Sequence, residues 1–371
     1  MSVDVLERPV AKKAQPAKIA VADCDIHPSP KSVEKEIYPF LEKRWQRHLE
    51  TYGMIGRQGQ QFGPAYPKGQ PDASRRDAYP PNGGRPGSDL QFMREQHLDP
   101  NNVQLGILNP LRGGQALQNL DFAEAYCRAV NDWQIAEWTS KEPRLKASVV
   151  VPYEDGALSA REIERRAGDP NFAQVLLLSR TGEPIGQRRY WPIYEAAAEA
   201  GFPVAVHAFG YGGNAVTGSG WPTYYIEEMV GHAQCSQTGL TSMVMEGIFE
   251  RFPKLKVILV EAGFAWLPSL AWRLDKLYMR MRDETPHLKR LPSEYIREHV
   301  WLTTQPMEEP EVREHLLDTI EWIGWDRLLF ATDYPHWDFD DPAYALPVRV
   351  DAARRRQFFF ENALKVYGLD K

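Results

Sequence analysis

Two acidic residues and a histidine stand together near the start of the chain, where an apolar run ends in Asp-Cys-Asp-Ile-His at positions 23–27. Side chains alternate between the two faces of a strand, so Asp23, Asp25 and His27 would share one face. Burying two carboxylates beside an imidazole is costly unless a positive charge lies among them. A divalent metal ion would supply that charge, and the simpler alternative is a strand that runs out into a polar loop.

Polar residues also stand at or just beyond the ends of four later apolar runs. They are His207, Glu261, Thr304 and Asp333. Taken alone, a histidine in this setting is usually a core or loop residue, and an aspartate before Tyr-Pro is often part of a turn. Two imidazoles and two carboxylates that converge are ligands suited to Zn²⁺, Mn²⁺ or Fe²⁺. If the runs are strands that end at one place, we expect one divalent ion per chain, bound by Asp25, His27, His207 and Asp333.

Eight short apolar runs alternate with segments of helical periodicity. The runs are Ile19–His27, Val103–Leu108, Leu145–Val151, Ala173–Leu178, Pro203–Ala208, Lys256–Val260, Val300–Thr304 and Arg327–Ala331. Near-continuous apolar strands separated by helices are typical of a parallel sheet covered on both faces, and eight of them predict a closed (β/α)8 TIM barrel. A doubly wound open sheet is the alternative, but no Gly-rich phosphate-binding pattern follows the first run. We therefore predict an α/β fold with a single barrel domain over residues 18–371.

The segments between the runs also suggest where some helices begin and end. Pro28–Leu49 has its apolar residues on one helical stripe, and Ser88 opens a capping pattern for a short helix. Tyr224–Phe252 has the pattern of a broken helical region. Asp351–Val366 is predicted to be the closing helix of the barrel.

Residues 53–87 are rich in Gly, Pro, Gln and Asn and show no periodicity. So long an irregular segment is usually either disordered or functional, and its place after the first strand predicts a lid over the catalytic face of the barrel. The segment carries Arg75 and Arg76, and Arg180 follows the fourth run. Together with Thr304, these are our candidates for contacts to an anionic substrate, although solvated loop charge is the simpler explanation for each lid arginine.

Composition and charge exclude several classes of protein. With a formal net charge of -6 over 371 residues and no stripe of Lys and Arg, we expect no nucleic-acid partner. Three scattered cysteines are too few for a disulfide framework, which fits a reducing compartment. No apolar run approaches the roughly 20 residues of a membrane helix, and the start of the chain has no signal-like apolar stretch. We predict a cytoplasmic protein without a membrane partner, with residues 1–17 as a disordered tail.

Four motifs resemble those of the amidohydrolase superfamily, in the amidohydrolase-related branch that includes aminocarboxymuconate semialdehyde decarboxylase. They are the Asp-x-His motif at 25–27 and the stretches 190–207, 249–268 and 331–338. The resemblance implies a barrel in which Asp25, His27, His207 and Asp333 bind one divalent metal ion. It also implies that Asp333 handles protons during the reaction.

The chain departs from that branch at two positions. The opening motif usually has His or Glu where Asp25 stands, and the sixth strand often ends in His-x-Gly where this chain has Glu261-Ala-Gly263. A glutamate cannot replace a neutral imidazole as a donor. We therefore predict that Glu261 hydrogen-bonds either to a ligand of the metal or to a water molecule bound to the metal, and acts in catalysis from there. His336 is the candidate for the missing imidazole.

Three functions fit these residues. The first is a metal-dependent decarboxylase of a small aromatic or unsaturated carboxylic acid, in which Asp333 delivers the proton to the carbon that loses CO₂. The second is a metal-dependent hydrolase of an amide, lactone or related bond, in which Asp333 accepts the proton of a water molecule that the ion has acidified. The third is a metal-stabilised binding protein without catalysis, for which Glu261 is the only support. Because 11 tryptophans and 16 tyrosines exceed the needs of a barrel core, we also expect a pocket or a homo-oligomer interface rich in them.

Overall fold

The computed structural model of the protein describes residues 18–53, 73–115, 117–210 and 215–370. Eight parallel strands lie side by side in the order in which they occur in the chain. They are β1 (Val21–Ile26), β2 (Val103–Leu108), β3 (Leu145–Val150), β4 (Phe172–Arg180), β5 (Val204–Gly210), β6 (Val257–Val260), β7 (Val300–Thr303) and β8 (Leu328–Leu329). Backbone hydrogen bonds from Cys24 N to Phe330 O (3.0 Å) and from His27 N to Tyr334 O (2.8 Å) join the last strand region to the first. The predicted (β/α)8 barrel is confirmed.

Helices cover the outside of the barrel between successive strands. They are α1 (Val33–Glu36), α2 (Lys43–Tyr52), α3 (Leu90–Met93), α4 (Leu120–Gln134), α5 (Gly156–Arg166), α6 (Trp191–Ala200), α7 (Tyr225–Met245), α8 (Ile248–Arg251), α9 (Leu267–Met281), α10 (Pro292–His299), α11 (Arg313–Ile323), α12 (Ala352–Arg356) and α13 (Asn362–Tyr367). Single π-helical turns follow α3, α4 and α12. No helix in the described ranges is long and apolar enough to span a bilayer.

The strands are apolar because both of their faces are covered, one by the barrel interior and the other by helices. All six residues of β1 and all four of β6 are buried. The exceptions to the apolar pattern are informative, since Asp23, Asp25, Ser148 and Gln174 lie inside strands with no exposed surface. Buried polar side chains of this kind need hydrogen-bond partners. Their contacts identify the functional site described below.

Several predicted helix boundaries were wrong, each for a local reason. Pro28–Leu49 is not one helix, because Pro39 lacks an N–H and the chain forms a short 3₁₀ turn at Tyr38–Phe40 between α1 and α2. By contrast, the predicted broken helical region 224–252 is confirmed, because α7 ends just before Gly247, which has a φ of 76°, and α8 follows it. Asp89, and not Ser88, caps α3 by accepting a hydrogen bond from Phe92 N. The sequence interpretation also missed α10.

The predicted lid is described only in part. The tail 1–17 and the lid residues 54–72 lie outside the described residues. The end of the lid segment pairs with the loop that follows β8, through Arg75 N to Pro335 O (3.0 Å) and Trp337 N to Ala73 O (2.9 Å). Residues 73–78 therefore lie at the carboxyl end of the barrel, beside His336, and the function of 53–87 as a lid stays a prediction.

Candidate metal centre

Four buried side chains from three parts of the barrel meet at the carboxyl ends of its strands. His27 Nε2 lies 2.7 Å from Asp333 Oδ1 and 3.2 Å from Asp25 Oδ1, and His207 Nε2 lies 3.2 Å from Asp25 Oδ2. One nitrogen or oxygen of each residue lies within 4.8 Å of those of the other three. The structure thus brings together the four residues that the sequence proposed as metal ligands.

Both imidazoles are oriented by backbone carbonyl groups behind them. His27 Nδ1 lies 2.8 Å from Asn109 O, and His207 Nδ1 lies 2.7 Å from Ala208 O, so each Nδ1–H donates to a carbonyl oxygen. In that tautomer the lone pair of each Nε2 points at the carboxylates of the cluster, which is unfavourable without a cation between them. The donor set therefore fits a divalent ion.

The ionisation of the cluster indicates the same need for positive charge. Burial opposes the ionisation of Asp25, but His27 and His207 outweigh it and hold the pKa of Asp25 well below its usual range. Burial also opposes a charge on His27, but Asp25 and Asp333 raise the pKa of His27 well above its usual value. A proton on His27 satisfies the carboxylates in the absence of metal, and a bound ion would take its place.

Asp333 stands at the junction of the cluster and the loop after β8. Its Oδ1 accepts from His336 Nδ1 at 2.6 Å and lies 2.7 Å from His27 Nε2, whereas its buried Oδ2 has no hydrogen-bond partner among the described residues. Burial raises the pKa of the carboxyl group, but His336 and His27 bring it down to about 2. The backbone of Asp333 has a φ of 61°, a conformation that costs energy in a non-glycine residue and is found often at functional sites. A buried carboxylate oxygen without a hydrogen-bond partner needs another one, and a bound cation or a transferable proton would provide it.

Glu261 lies directly beyond β6, beside His207. The distance from Glu261 Oε2 to His207 Nε2 is 3.4 Å, and that oxygen has no hydrogen-bond partner in the described ranges. Burial and the charges of Asp333 and Asp338 raise the pKa of Glu261 well above its usual value. Its backbone φ of 54° matches the unusual conformation of Asp333. The predicted hydrogen bond from Glu261 to a metal ligand is thus seen only as a close approach.

Asp338 is a site residue that the sequence interpretation missed. One oxygen each from Asp338, Glu261 and Asp333 lie within 4.8 Å of one another. Burial and the neighbouring Asp333 raise the pKa of Asp338 to about 8. The sequence signal that could have identified Asp338 is its position five residues beyond Asp333, in the same 331–338 motif.

Asp23 does not join the metal cluster, although it shares a strand face with Asp25 and His27. Its Oδ1 accepts from Thr332 N at 2.9 Å, and its Oδ2 lies 2.8 Å from His97 Nε2. These contacts lie deeper in the barrel and tie β1 to the segment that carries Asp333.

The four candidate substrate contacts lie on three parts of the chain, since Arg75 and Arg76 are neighbours in the 53–87 segment. Arg75 donates to both oxygens of Asp77, at 2.9 and 2.6 Å, and its guanidinium group lies 4.7 Å from the ring of Phe339. Arg76 is exposed.

Arg180 is buried at the end of β4, with its guanidinium group 5.6 Å from the ring of Trp221. Thr304 is buried, and its N–H and hydroxyl both point at Leu329 O. Their roles stay predictions.

Comparison with known proteins gives a consistent picture. A family model described as Amidohydrolase matches residues 22–369. Gamma-resorcylate decarboxylase of Polaromonas sp. (strain JS666 / ATCC BAA-500) is 28% identical over an alignment of 304 residues that covers 76% of this chain and 89% of that relative. The crystal structure of a dihydroxybenzoic acid decarboxylase from Polaromonas sp. JS666, with bound manganese and the inhibitor 2-nitroresorcinol, is 21% identical with a TM-score of 0.64 and covers 95% of this chain and 98% of that chain. The 5-carboxyvanillate decarboxylase of Sphingomonas paucimobilis is 20% identical with a TM-score of 0.67 and covers 95% and 99%.

Proposed function

The chain belongs to the amidohydrolase family, and from that membership and its buried cluster we propose that it is a metal-dependent decarboxylase of a small aromatic carboxylic acid. The observation that carries the proposal is the convergence of Asp25, His27, His207 and Asp333 at one end of the barrel. Relatives that share the fold are named as decarboxylases of gamma-resorcylate, dihydroxybenzoic acid and 5-carboxyvanillate. An anionic aromatic acid is the substrate class common to these names.

We propose that the four side chains bind one divalent ion, with Mn²⁺ as the first candidate because a solved relative holds manganese. Zn²⁺ and Fe²⁺ can use the same nitrogen and oxygen donors. When bound, such an ion supplies a fixed positive charge that attracts the anionic oxygens of the substrate and draws electron density away from its carboxylate.

Asp333 is the residue to which we assign proton delivery. Decarboxylation breaks the bond between the ring carbon and the carboxyl group, releases CO₂ and forms a C–H bond, so each turnover consumes one proton. His336 and His27 hold Oδ1 of Asp333, which leaves Oδ2 as the atom that can carry a proton to the substrate. The low pKa of Asp333, about 2, means that a neighbour must resupply that proton. Glu261 and Asp338 are the carboxyl groups close enough to do so.

The substrate contacts proposed from the sequence come from three parts of the chain. We propose that Arg180 and Thr304 contact the substrate from β4 and β7, and that Arg75 and Arg76 do so from a lid formed by 53–87. The described end of that segment lies against the loop after β8, which supports a location near the barrel mouth. We further propose one barrel domain over 18–371 and a cytoplasmic homo-oligomer.

Hydrolysis is the second candidate, and one observation favours it. The pKa of Asp333, lowered to about 2, keeps this residue as a carboxylate at neutral pH. A carboxylate beside a bound ion is suited to accept a proton from water, which is the role of a general base in metal-dependent hydrolysis. A binding protein without catalysis is the least supported function, since the complete set of four metal-binding side chains is present.

The test is a turnover screen with the Mn²⁺-loaded protein. Gamma-resorcylate and 5-carboxyvanillate are followed by CO₂ release and by loss of their ultraviolet absorbance, in parallel with a panel of lactones and amides followed by acid release. We expect CO₂ release from at least one aromatic acid, and none from His207→Ala. Turnover of the lactones or amides alone would replace the decarboxylase with the hydrolase. His287→Ala is the control, because His287 is an exposed histidine that contacts Met245 O outside the cluster.

A further inference from the structure

One residue outside the cluster contacts both Asp25, in β1, and His27, which directly follows β1. Asn109 directly follows β2 and has no exposed surface. Its side-chain Nδ2 donates to Asp25 Oδ1 at 2.8 Å and to Cys24 O at 3.2 Å. Its backbone oxygen accepts from His27 Nδ1 at 2.8 Å. Asn109 therefore fixes the carboxylate of one ligand and the tautomer of the other.

The side-chain amide of Asn109 is held in one orientation by two donors on the opposite side. Asn109 Oδ1 accepts from Ser148 Oγ at 2.7 Å and from Gln174 Nε2 at 2.9 Å. A reversed amide would place its oxygen against the Asp25 carboxylate and its N–H groups against two donors. All hydrogen-bonding positions of this amide are thus used, and only one orientation satisfies them.

The hydrogen bonds continue across the barrel interior to the last helix. Gln174, on β4, accepts from the hydroxyl of Tyr367 at 3.0 Å through its Oε1, and Tyr367 is the last residue of α13. The three links run in one direction, from Tyr367 to Gln174, from Gln174 to Asn109, and from Asn109 to Asp25. In a chain of this kind each donor is polarised by the bond before it, which strengthens the last N–H toward the carboxylate.

A purely structural core would not require this arrangement. Barrel interiors are usually filled by branched apolar side chains, and buried amides must find partners to offset the loss of solvation. Here the two donors to Asn109 Oδ1 hold the amide so that one N–H points at a ligand oxygen. A donor on Asp25 Oδ1 fixes the carboxylate plane and leaves the other lone pairs for a cation.

We propose that Asn109 is a positioning residue for the metal site, and that Gln174 and Tyr367 hold its amide in the orientation that presents N–H to Asp25. This inference rests on the proposed metal site, and it adds one residue after β2, one on β4 and one on α13 to those that set metal affinity. It concerns metal binding and is independent of which reaction the bound metal serves.

The test measures the Kd of Mn²⁺ for metal-stripped protein by competition with a chelating dye, beside the thermal midpoint of each metal-free variant. Asn109→Ala should raise Kd by about 10-fold to 100-fold, the usual effect of removing a partner of a metal ligand. Tyr367→Phe removes only the first of the three hydrogen bonds that lead to Asp25, so it should raise Kd by a smaller factor of about 3 or more. Gln174→Glu keeps the side-chain shape but turns an acceptor toward Asn109 Oδ1, so it should weaken binding as much as Asn109→Ala.

Tyr194→Phe is the matched control. Tyr194 is also buried, and its hydroxyl donates to Ile185 O, which takes no part in the hydrogen bonds that lead to Asp25. We expect this variant to lose thermal stability without a change in Kd. A Kd that changes equally in Tyr194→Phe and Tyr367→Phe would overturn the proposal, because general destabilisation would then explain both.

The remaining outcomes distinguish a failure of this proposal from a failure of the proposed metal site. If the wild-type protein binds Mn²⁺ and the Kd is unchanged in Asn109→Ala and Gln174→Glu, the positioning role is overturned and the metal site stands. A wild-type protein that holds no divalent ion overturns both. If Asn109→Ala does not fold, Ser148→Ala removes one of the two donors to Asn109 Oδ1 and should still raise Kd more than the control does.

Discussion

His27 Nε2 lies 2.7 Å from Asp333 Oδ1, although 306 positions separate the two residues in the chain. One residue follows the first strand and the other follows the eighth, so the contact forms only when the barrel closes. A metal ion bound by both would hold the first and last strands together. Its binding free energy would add to the stability of the folded state, because the unfolded chain has no such site.

The first prediction concerns metal content. Protein purified without added metal, or loaded with Mn²⁺ and desalted, should carry about one divalent ion per chain, as measured by elemental analysis. Mn²⁺ at about a hundredfold excess over Kd should increase the free energy of unfolding by about 2.7 kcal/mol. His207→Ala should lose most of the metal, whereas the control His287→Ala should keep it. Absence of metal together with an unchanged thermal midpoint would refute the site.

The second prediction concerns the pH dependence of stability in the metal-free protein. The pKa of His27 is raised well above 6.5, so its proton stabilises the fold below that pH and this contribution is lost as pH rises through the raised pKa. Asp338, with a pKa of about 8, and Glu261, whose pKa is also raised, change stability in the same direction. The thermal midpoint in a chelator should therefore fall as the pH rises from about 6.5 past 8.

Mn²⁺ should remove most of that fall, because the ion replaces the protons that the cluster otherwise needs. Thermal unfolding in chelator and in Mn²⁺ across this pH range is the measurement. Two profiles that run parallel would show that the protonated groups and the metal do not share a site.

The barrel and its ligand set could be predicted because they depend on local patterns. Apolar runs mark the strands, and residues at strand ends such as His207 and Asp333 converge in any closed parallel barrel.

The partners of these ligands depend on contacts between strands that no local pattern encodes. Asn109 gave no sign of its contact with Asp25, and Thr304, chosen by the same strand-end rule as His207, instead points at Leu329 O. Asp23 shares a face with the ligands but meets Thr332 one step deeper in the barrel.

The third prediction concerns Glu261. Glu261→Gln keeps the shape of the side chain but cannot carry a proton, so metal content should stay near one per chain. The rate should fall by about 10-fold to 100-fold, as is usual for a group beside a metal ligand. Metal analysis and kcat measured on the same preparation give both numbers. Full activity in Glu261→Gln would leave this residue with only a structural role at the end of β6.

The fourth prediction concerns the arginines of the 53–87 segment. Arg76 is exposed, whereas Arg75 is already held by Asp77 and packs over Phe339. If both attract an anionic substrate, they stabilise the bound ground state and the transition state alike, so replacing both by alanine should raise KM much more than it lowers kcat. Because Arg75 also supports packing at the barrel mouth, Arg76→Ala should show the effect on KM without a loss of thermal stability.

Arg44→Ala, which removes an exposed arginine paired with Glu42, is the control. An equal fall of kcat and kcat/KM in Arg76→Ala would instead assign Arg76 to the transition state, and unchanged kinetics in the double variant would remove these arginines from substrate binding.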